Sequence, residues 1–444
     1  MCPSFRATRE EKNSTRGRAR LLFEMLRGDS IMNGWRDEGV KDALDLCLSC
    51  KGCKGDCPVS VDVATYKAEF LSHYWEGRPR PRQAYAIGLI DQWAKLASLA
   101  PGLTNLVTQT PGLRELAKFA AGMPSQREIP AFAPTTFQQW FQQRRDSKRQ
   151  PGKRVVLWPD TFNNYFHPDV AQAALEVLEH AGFEVAVPSQ SVCCGRPLYD
   201  FGMLDRAKQY LLQVIRTLRK EILWGIPILM LEPSCAAVFR DELKNLLPDN
   251  EEAQRLSKQT FLLSEWLDKH APHLSLPELR PARKAVVHGH CHQKALMGMD
   301  SDIALLRKMG IEPQLLDSGC CGMAGSFGFE KDKYDVSVKC GEHALLPQVR
   351  DASPETLIVA DGFSCQEQIA QLTNRRALHL AQVMAAALKK PKAFSDHGYP
   401  EATFIQQREA AVQGSMRRAS AGAGILLALG VGGGMIWATQ ARSK

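Results

Sequence analysis

Residues Cys47 to Pro58, CLSCKGCKGDCP, set four cysteines at C-x2-C-x2-C-x3-C followed by proline. Two-residue gaps turn successive thiolates inward around one point, and a run of this spacing wraps three corners of a cubane iron-sulfur cluster, here with Cys47, Cys50 and Cys53. Gly52 and Gly55 give the backbone a tight path past the inorganic sulfides. In chains that hold two such clusters the cysteine before the proline, Cys57 here, serves the other one. A structural zinc knot is the rival reading, and the closing Cys-Pro weighs against it. Met1-Cys2-Pro3 repeats that Cys-Pro ending with no run in front of it. Cys2 therefore reads as the last ligand of a cluster whose other three ligands lie upstream, which leaves a cluster at this end unstable, or as a free cysteine.

The remaining cysteines fall in an internal repeat. Residues 154 to 240 give an apolar run, a helix ending at Gly182, a short strand, Cys193-Cys194-Gly195, a helix, a strand and Cys235. Residues 283 to 370 repeat the order with Cys291, Cys320-Cys321-Gly322 and Cys365. Strand-helix alternation predicts parallel sheets, whose carboxyl ends gather residues far apart in sequence. Cys291, Cys320, Cys321 and Cys365 make four thiolates, enough for one 4Fe-4S cluster. In the first copy Thr161 stands where Cys291 stands in the second, so Cys193, Cys194 and Cys235 are the weaker set, structural or partial remnants. Cys340, inside a predicted helix, reads as a small buried apolar residue. His288, His290 and His292 flank Cys291, and strand alternation would line the three rings up while Cys291 points away. That divides a zinc site and favours histidines that hydrogen-bond near a cluster or redox partner and carry protons. Cys321 to Gly328 is glycine-rich but lacks G-x-G-x-x-G, so no nucleotide domain is predicted.

These groups need elements to hold them. A chain of 444 residues implies two or three domains. The formal charge of +8 is spread without a dense basic block, which argues against nucleic acid as a partner. Thirteen cysteines grouped in this way, without a secretory signal pattern, point to a reducing, cytoplasmic setting and metal ligation. The expected fold class is α/β: a helical ferredoxin-like iron-sulfur domain (1–123), a linker (124–153), two cysteine-rich repeats with parallel sheets (154–270 and 271–390), a second linker (391–415) and a hydrophobic tail (416–444). Residues 419 to 438 carry no charge, which suits a membrane anchor at the cytoplasmic membrane or an interfacial tail.

The Cys47 to Pro58 run, the upstream Cys-Pro with its Arg16-Gly17-Arg18 helix, and the paired-cysteine repeats ending in Leu316-Asp317-Ser318-Gly319-Cys320-Cys321-Gly322 resemble the iron-sulfur, cysteine-rich (CCG-domain) subunits of FAD-linked dehydrogenases. The likeness extends to the C-terminal half of fused D-lactate or D-2-hydroxyglutarate dehydrogenases. It implies an electron relay: a flavin oxidises a 2-hydroxy acid or glycerol 3-phosphate, 4Fe-4S clusters pass electrons on, and a quinone or similar acceptor takes them. It implies FAD on a partner subunit or a missing upstream domain. Cys47, Cys50 and Cys53 would bind one cluster that Cys2 completes, and Cys57 would complete another. Thr161, Glu232 and Gly362 interrupt the family's full cysteine pattern, which counts against the alternative of a heterodisulfide-type reductase. A membrane-docking subunit without redox chemistry is the third reading.

Overall fold

Two all-parallel sheets carry the repeats. The structure is a computed structural model that describes residues 2–144, 152–279, 283–389, 394 and 398–441, with side chains given as far as residue 422. The first sheet has the order β2-β1-β3-β4, from β1 (Arg154–Leu157), β2 (Glu184–Ala186), β3 (Ile228–Met230) and β4 (Thr260–Leu262). The second runs β6-β5-β7, from β5 (Arg283–Val287), β6 (Ile311–Leu315) and β7 (Leu357–Val359). Corresponding strands thus occupy corresponding places. The central strands are buried apolar runs, as parallel strands covered on both faces must be, whereas β6 carries Pro313 and exposed residues and lies at an edge. The short β4 falls within the first repeat and was not anticipated from its sequence.

One hydrophobic core joins the two sheets. Leu157 and Leu229 from the first, Val287 and Val359 from the second, and helices Pro168–His180 and Leu380–Leu388 all belong to it. The helix LAQVMAAAL is apolar on every side, which fits complete burial, and its alanines allow close packing against Pro168–His180.

The N-terminal region is helical. Ser14, Asp37 and Asp62 cap helices Thr15–Arg27, Glu38–Asp45 and Val63–Tyr74 by accepting the amides of Gly17, Val40 and Thr65. Their apolar faces pack Leu22, Met25, Val40, Leu44 and Phe70 around Cys47 and Cys53. Residues 124–144, expected as a surface linker, are instead packed in. Arg127 is fully buried and donates to the Gly328 carbonyl and to Ser337 Oγ, both at 2.9 Å. Phe132 and Phe137 are buried too, and the Asn105 amide ties both backbone groups of Phe132. The rest of that stretch, 145–151, lies outside the described residues, as does most of the second expected linker.

A long helix, Ala402–Ala441, closes the chain and packs on Pro101–Gln109. The anchor expected over 419–438 falls, from residue 423 onward, outside the described side chains. Among the described residues no helix is long and apolar enough to cross a membrane.

Candidate functional site

The Cys47–Pro58 run is held under strain. Ser49 and Lys51 have φ of 51° and 58°, the left-handed region that non-glycine residues rarely enter. Such strain persists where surrounding contacts over-determine the backbone. Ser49 O accepts from His292 Nε2 at 2.9 Å. Lys51 Nζ, completely buried, lies 2.7 Å from Asp62, 2.7 Å from Asp241 and 3.2 Å from Glu242. Asp241 and Glu242 come from a π-helical turn, Val238–Glu242, in the first repeat. Burial alone would lower the Lys51 ammonium, but Glu242 and the two aspartates outweigh it and raise it. Glu242 is also paired with Arg196, whose Nη2 reaches His292 Nε2 at 2.7 Å. The run is thereby pinned to both repeats. Gly55, read in the sequence as room for sulfide, serves a helix contact: a Cβ there would stand 3.2 Å from Ala295 Cα on helix Cys291–Leu296.

Cys2 joins this run. Its Sγ accepts from Arg18 Nη1 at 3.1 Å, and its charge is felt at both Cys50 and Cys53. Burial would raise the Cys2 thiol, yet the Arg18 guanidinium and the Ser4 hydroxyl hold it below its ordinary value. Arg18 is itself buried and anchored on Ala43 O at 2.7 Å and Ser4 Oγ at 2.8 Å. Its role was not read from the sequence, although Arg16-Gly17-Arg18 was noticed. Cys57 stands apart: no other cysteine acts on it, and the amides of Val61 and Val59 hold its thiol low.

In the second repeat each cysteine follows a strand. Cys291 opens the helix after β5, Cys320 and Cys321 follow β6, and Cys365 sits in helix Phe363–Leu372 after β7. Hydrogen bonds from Cys320 and Cys365 hold the Cys321 thiol well below its ordinary value against burial, with His288 adding to them. Contacts with Cys291 and Cys321 push Cys320 well up, and the contact with Cys321 does the same to Cys365. Ligand atoms of His288, Cys321 and Cys365 lie within 4.8 Å of one another. Burial also raises Cys50 well above its ordinary value, with Cys291 adding to it. Cys50 and Cys291 both pack against the apolar cluster that holds Cys320, Cys321 and Cys365, so the N-terminal run meets the second repeat there.

The three histidines do not line one strand face, because β5 ends at Val287. His288 Nδ1 pairs with Ser318 Oγ at 2.7 Å, and its ring lies beside Cys321. His290 caps the next helix and stands 4.0 Å from Glu232 Oε1, and His292 turns to Arg196 and Ser49. Burial holds all three below the ordinary imidazole value, His290 at about 4, so they are neutral at physiological pH. No zinc site forms from the three together.

The first repeat holds Cys193, Cys194 and Cys235, with Cys194 and Cys235 sulfurs 3.0 Å apart. The hydrogen bond with Cys194 lowers the Cys235 thiol, but burial and Asp160 push it up to about 12. Thr161 interacts with Cys193, and Glu232 accepts the Phe363 amide of the other repeat at 2.8 Å. Burial and Asp160 raise the Glu232 carboxyl to about 7. Gly362 has a steric cause: a Cβ there would come within 2.3 Å of His290 Cδ2. Cys340 is buried in helix Tyr334–Glu342 and faces the Pro3 carbonyl.

Three buried thiols and the half-buried Cys291, with one stabilised thiolate beside the His288 ring, are a donor set that needs a cationic centre to deprotonate in full. Soft thiolates suit iron-sulfur clusters or zinc. Between the repeats lies a cavity of about 870 Å³ that reaches Cys193, Cys194, Cys235, His290 and Cys291.

Residues 1–62 match the 4Fe-4S dicluster domain, and residues 160–240 and 290–370 match the cysteine-rich domain. The chain thus carries a 4Fe-4S dicluster domain and two copies of the cysteine-rich domain. It is 27% identical over 431 residues to D-2-hydroxyglutarate dehydrogenase of Pseudomonas putida, covering 86% of this chain and 41% of that one. It is 28% identical over 334 residues to a subunit of the anaerobic glycerol-3-phosphate dehydrogenase of Escherichia coli, covering 74% and 83%. Lactate utilization protein A of Bacillus velezensis is 29% identical over 251 residues, 52% of this chain and 98% of that one. The chain thus spans less than half the length of the D-2-hydroxyglutarate dehydrogenase it matches and most of the glycerol-3-phosphate dehydrogenase subunit.

Proposed function

We propose that this chain is the electron-relay component of an FAD-linked oxidoreductase that oxidises a 2-hydroxy acid or glycerol 3-phosphate. A 4Fe-4S cluster, when bound, takes up and releases one electron at a time. Cys2, Cys47, Cys50 and Cys53 would hold one cluster, and Cys291, Cys320, Cys321 and Cys365 another. Cys57 is left for a neighbouring cluster whose other ligands lie elsewhere. The flavin belongs to a partner chain or domain, and a quinone or similar acceptor at the cytoplasmic membrane takes the electrons. The observation that carries this reading is the packing of Cys50 from the N-terminal run and Cys291 from the second repeat against one cluster with Cys320, Cys321 and Cys365. His292, Lys51 and Arg196 orient that junction and exclude water from it. The weaker set, Cys193, Cys194 and Cys235, packs the first repeat. A heterodisulfide-type reductase would call for a closing cysteine at 362, where His290 occupies the space.

The test is iron, acid-labile sulfide and zinc per chain on anaerobically purified protein, with low-temperature EPR before and after dithionite. Near-equal iron and sulfide and a signal appearing on reduction support the relay. Zinc in place of iron overturns it.

A further inference from the structure

Helices Ile90–Ala97, Pro101–Gln109 and Leu113–Ala121 form a cap over the cavity between the repeats. Their inner faces are buried at Ala94, Ala97 and Asn105. Their outer faces carry Trp93, Leu96, Leu99, Leu103, Leu116 and Phe119, which are 49% to 80% exposed. Such a concentration of exposed large apolar side chains marks an interaction surface.

Three features identify what covers it. Tyr85, Trp93, Leu96 and Val107 both line the cavity and face outward, so the cavity opens through the apolar surface itself. The acidic side chains bordering that surface are paired, Asp91 with Lys95, Glu115 with Arg114, and Glu128 with Arg114 and Lys118, while Arg82 stacks over the Phe119 ring. Helix Ala402–Ala441 leaves the body here: a Cβ at Gly102 would stand 2.5 Å from Ser415 O and 3.0 Å from Ala419 Cβ. Beside that contact Arg417 and Arg418 are exposed, and the uncharged sequence 419–438 follows. Apolar helix faces bordered by arginine and lysine are the pattern of helices that lie in a bilayer interface, whereas the rim of a protein interface is polar.

We propose that this cap seats on the bilayer surface and that the cavity beneath it takes a lipid-soluble quinone admitted between Trp93, Leu96 and Val107. The proposal rests on the relay reading and supplies its acceptor site. Apolar walls suit the ring and tail, as in most small-molecule sites, with few polar groups to orient them. At the cavity floor His290 Nδ1 accepts the His292 amide at 3.2 Å, which leaves its Nε2–H to donate to a quinone carbonyl. Reduction there consumes two electrons, delivered singly from the reduced flavin, and two protons from solvent, and yields the quinol.

The experiment uses the full chain, anaerobically purified, with vesicles of phosphatidylcholine and phosphatidylglycerol containing a long-tailed azidoquinone. The expected result is co-sedimentation and light-dependent labelling of peptides that contain Trp93, Val107 or Phe162. Leu99→Glu/Leu116→Glu/Phe119→Glu, none of which lines the cavity, is expected to lower the ratio of vesicle-bound to free protein by at least about tenfold, because the contact loses three apolar side chains. Vesicle binding unchanged by these substitutions, or labelling confined to peptides outside the cavity, overturns the proposal. So does a lipid-free dimer that the same substitutions split, which would assign the face to a second copy. Iron and the EPR signal are measured in the same samples: iron present without cavity labelling defeats this proposal alone, and absent iron defeats the relay.

Discussion

Lys51→Met keeps the aliphatic stem and deletes an ammonium that touches three carboxylates. Removing one partner of a buried ion pair costs about 3–5 kcal/mol, because the other charges remain buried. Lys54, 2.5 Å from Asp241 and 3.4 Å from Asp62, and Arg196 on Glu242 recover part of this. A loss of about 3 kcal/mol is therefore expected, and with about 3 kcal/mol per molar urea for a protein of this size the midpoint at pH 7 falls by about 1 M. Burial raises the carboxyls of Asp62 and Asp241, but Lys51 outweighs it and holds both below their ordinary value. Their contribution to wild-type stability is present at neutral pH and is lost only as pH falls through those lowered values. In the variant burial prevails, the carboxyls protonate at higher pH, and the deficit shrinks. The gap between the two proteins should thus narrow from pH 7 toward pH 4. Urea unfolding followed in parallel by tryptophan fluorescence and cluster absorbance measures it, and Lys51→Met/Asp241→Asn should regain part of the loss. A midpoint shift below about 0.3 M at pH 7, or a gap that stays constant with pH, refutes the clamp.

Three further changes probe the site. Cys50→Ser should remove the iron held by the N-terminal set without unfolding the repeats, while Cys57→Ser leaves that iron in place, as measured by iron per chain and circular dichroism. Gly362→Ala drives a methyl into His290 and should cost about 1–3 kcal/mol, the usual range for overpacking; His290→Ala in the same chain should relieve it in urea unfolding, and Gly362→Cys should add no iron. Glu232, raised to about 7 from an ordinary 4.5, binds its proton more tightly in the folded state. Its contribution is thus fullest below the ordinary value and is lost as pH rises to about 7, by roughly 3 kcal/mol. Glu232→Gln should flatten that decline between pH 5 and pH 8.

The thiols and their strand-end placement were legible because spacing and strand-helix alternation are local signals. The three histidines were misread because their geometry depends on where β5 stops: it ends at Val287, and after three residues the backbone enters the helix that Cys291 opens. Lys51 and Arg18 were invisible as site residues, since their partners lie 190 and 16 positions away and no local pattern announces them. The stretch after Met123 looked like a linker from its Arg, Gln and Pro content, yet one arginine, Arg127, is buried against Gly328 and Ser337. Composition reports average solvation and cannot see which charge is enclosed.

The uneven wear of the two repeats has a structural logic. Where the second repeat has Cys291 the first has Thr161, which supports Cys193, and where the second has Gly362 the first has Glu232, which grips the Phe363 amide across the repeat boundary. Its π-helical turn adds Asp241 and Glu242 to hold Lys51. The first repeat, with three thiols, is the frame on which the N-terminal run is fixed against the second. Electron tunnelling falls steeply with distance, so a relay gains more from an exact separation between two sets than from a third that is poorly coupled. The contacts converge on that separation: Ser49 O on His292, Lys51 on Asp241 and Glu242, Gly55 on Ala295, all within a few residues of Cys50 and Cys291. A frame of this kind also explains why strain at Ser49 and Lys51 is tolerated, since relaxing either residue would swing Cys50 away from Cys291.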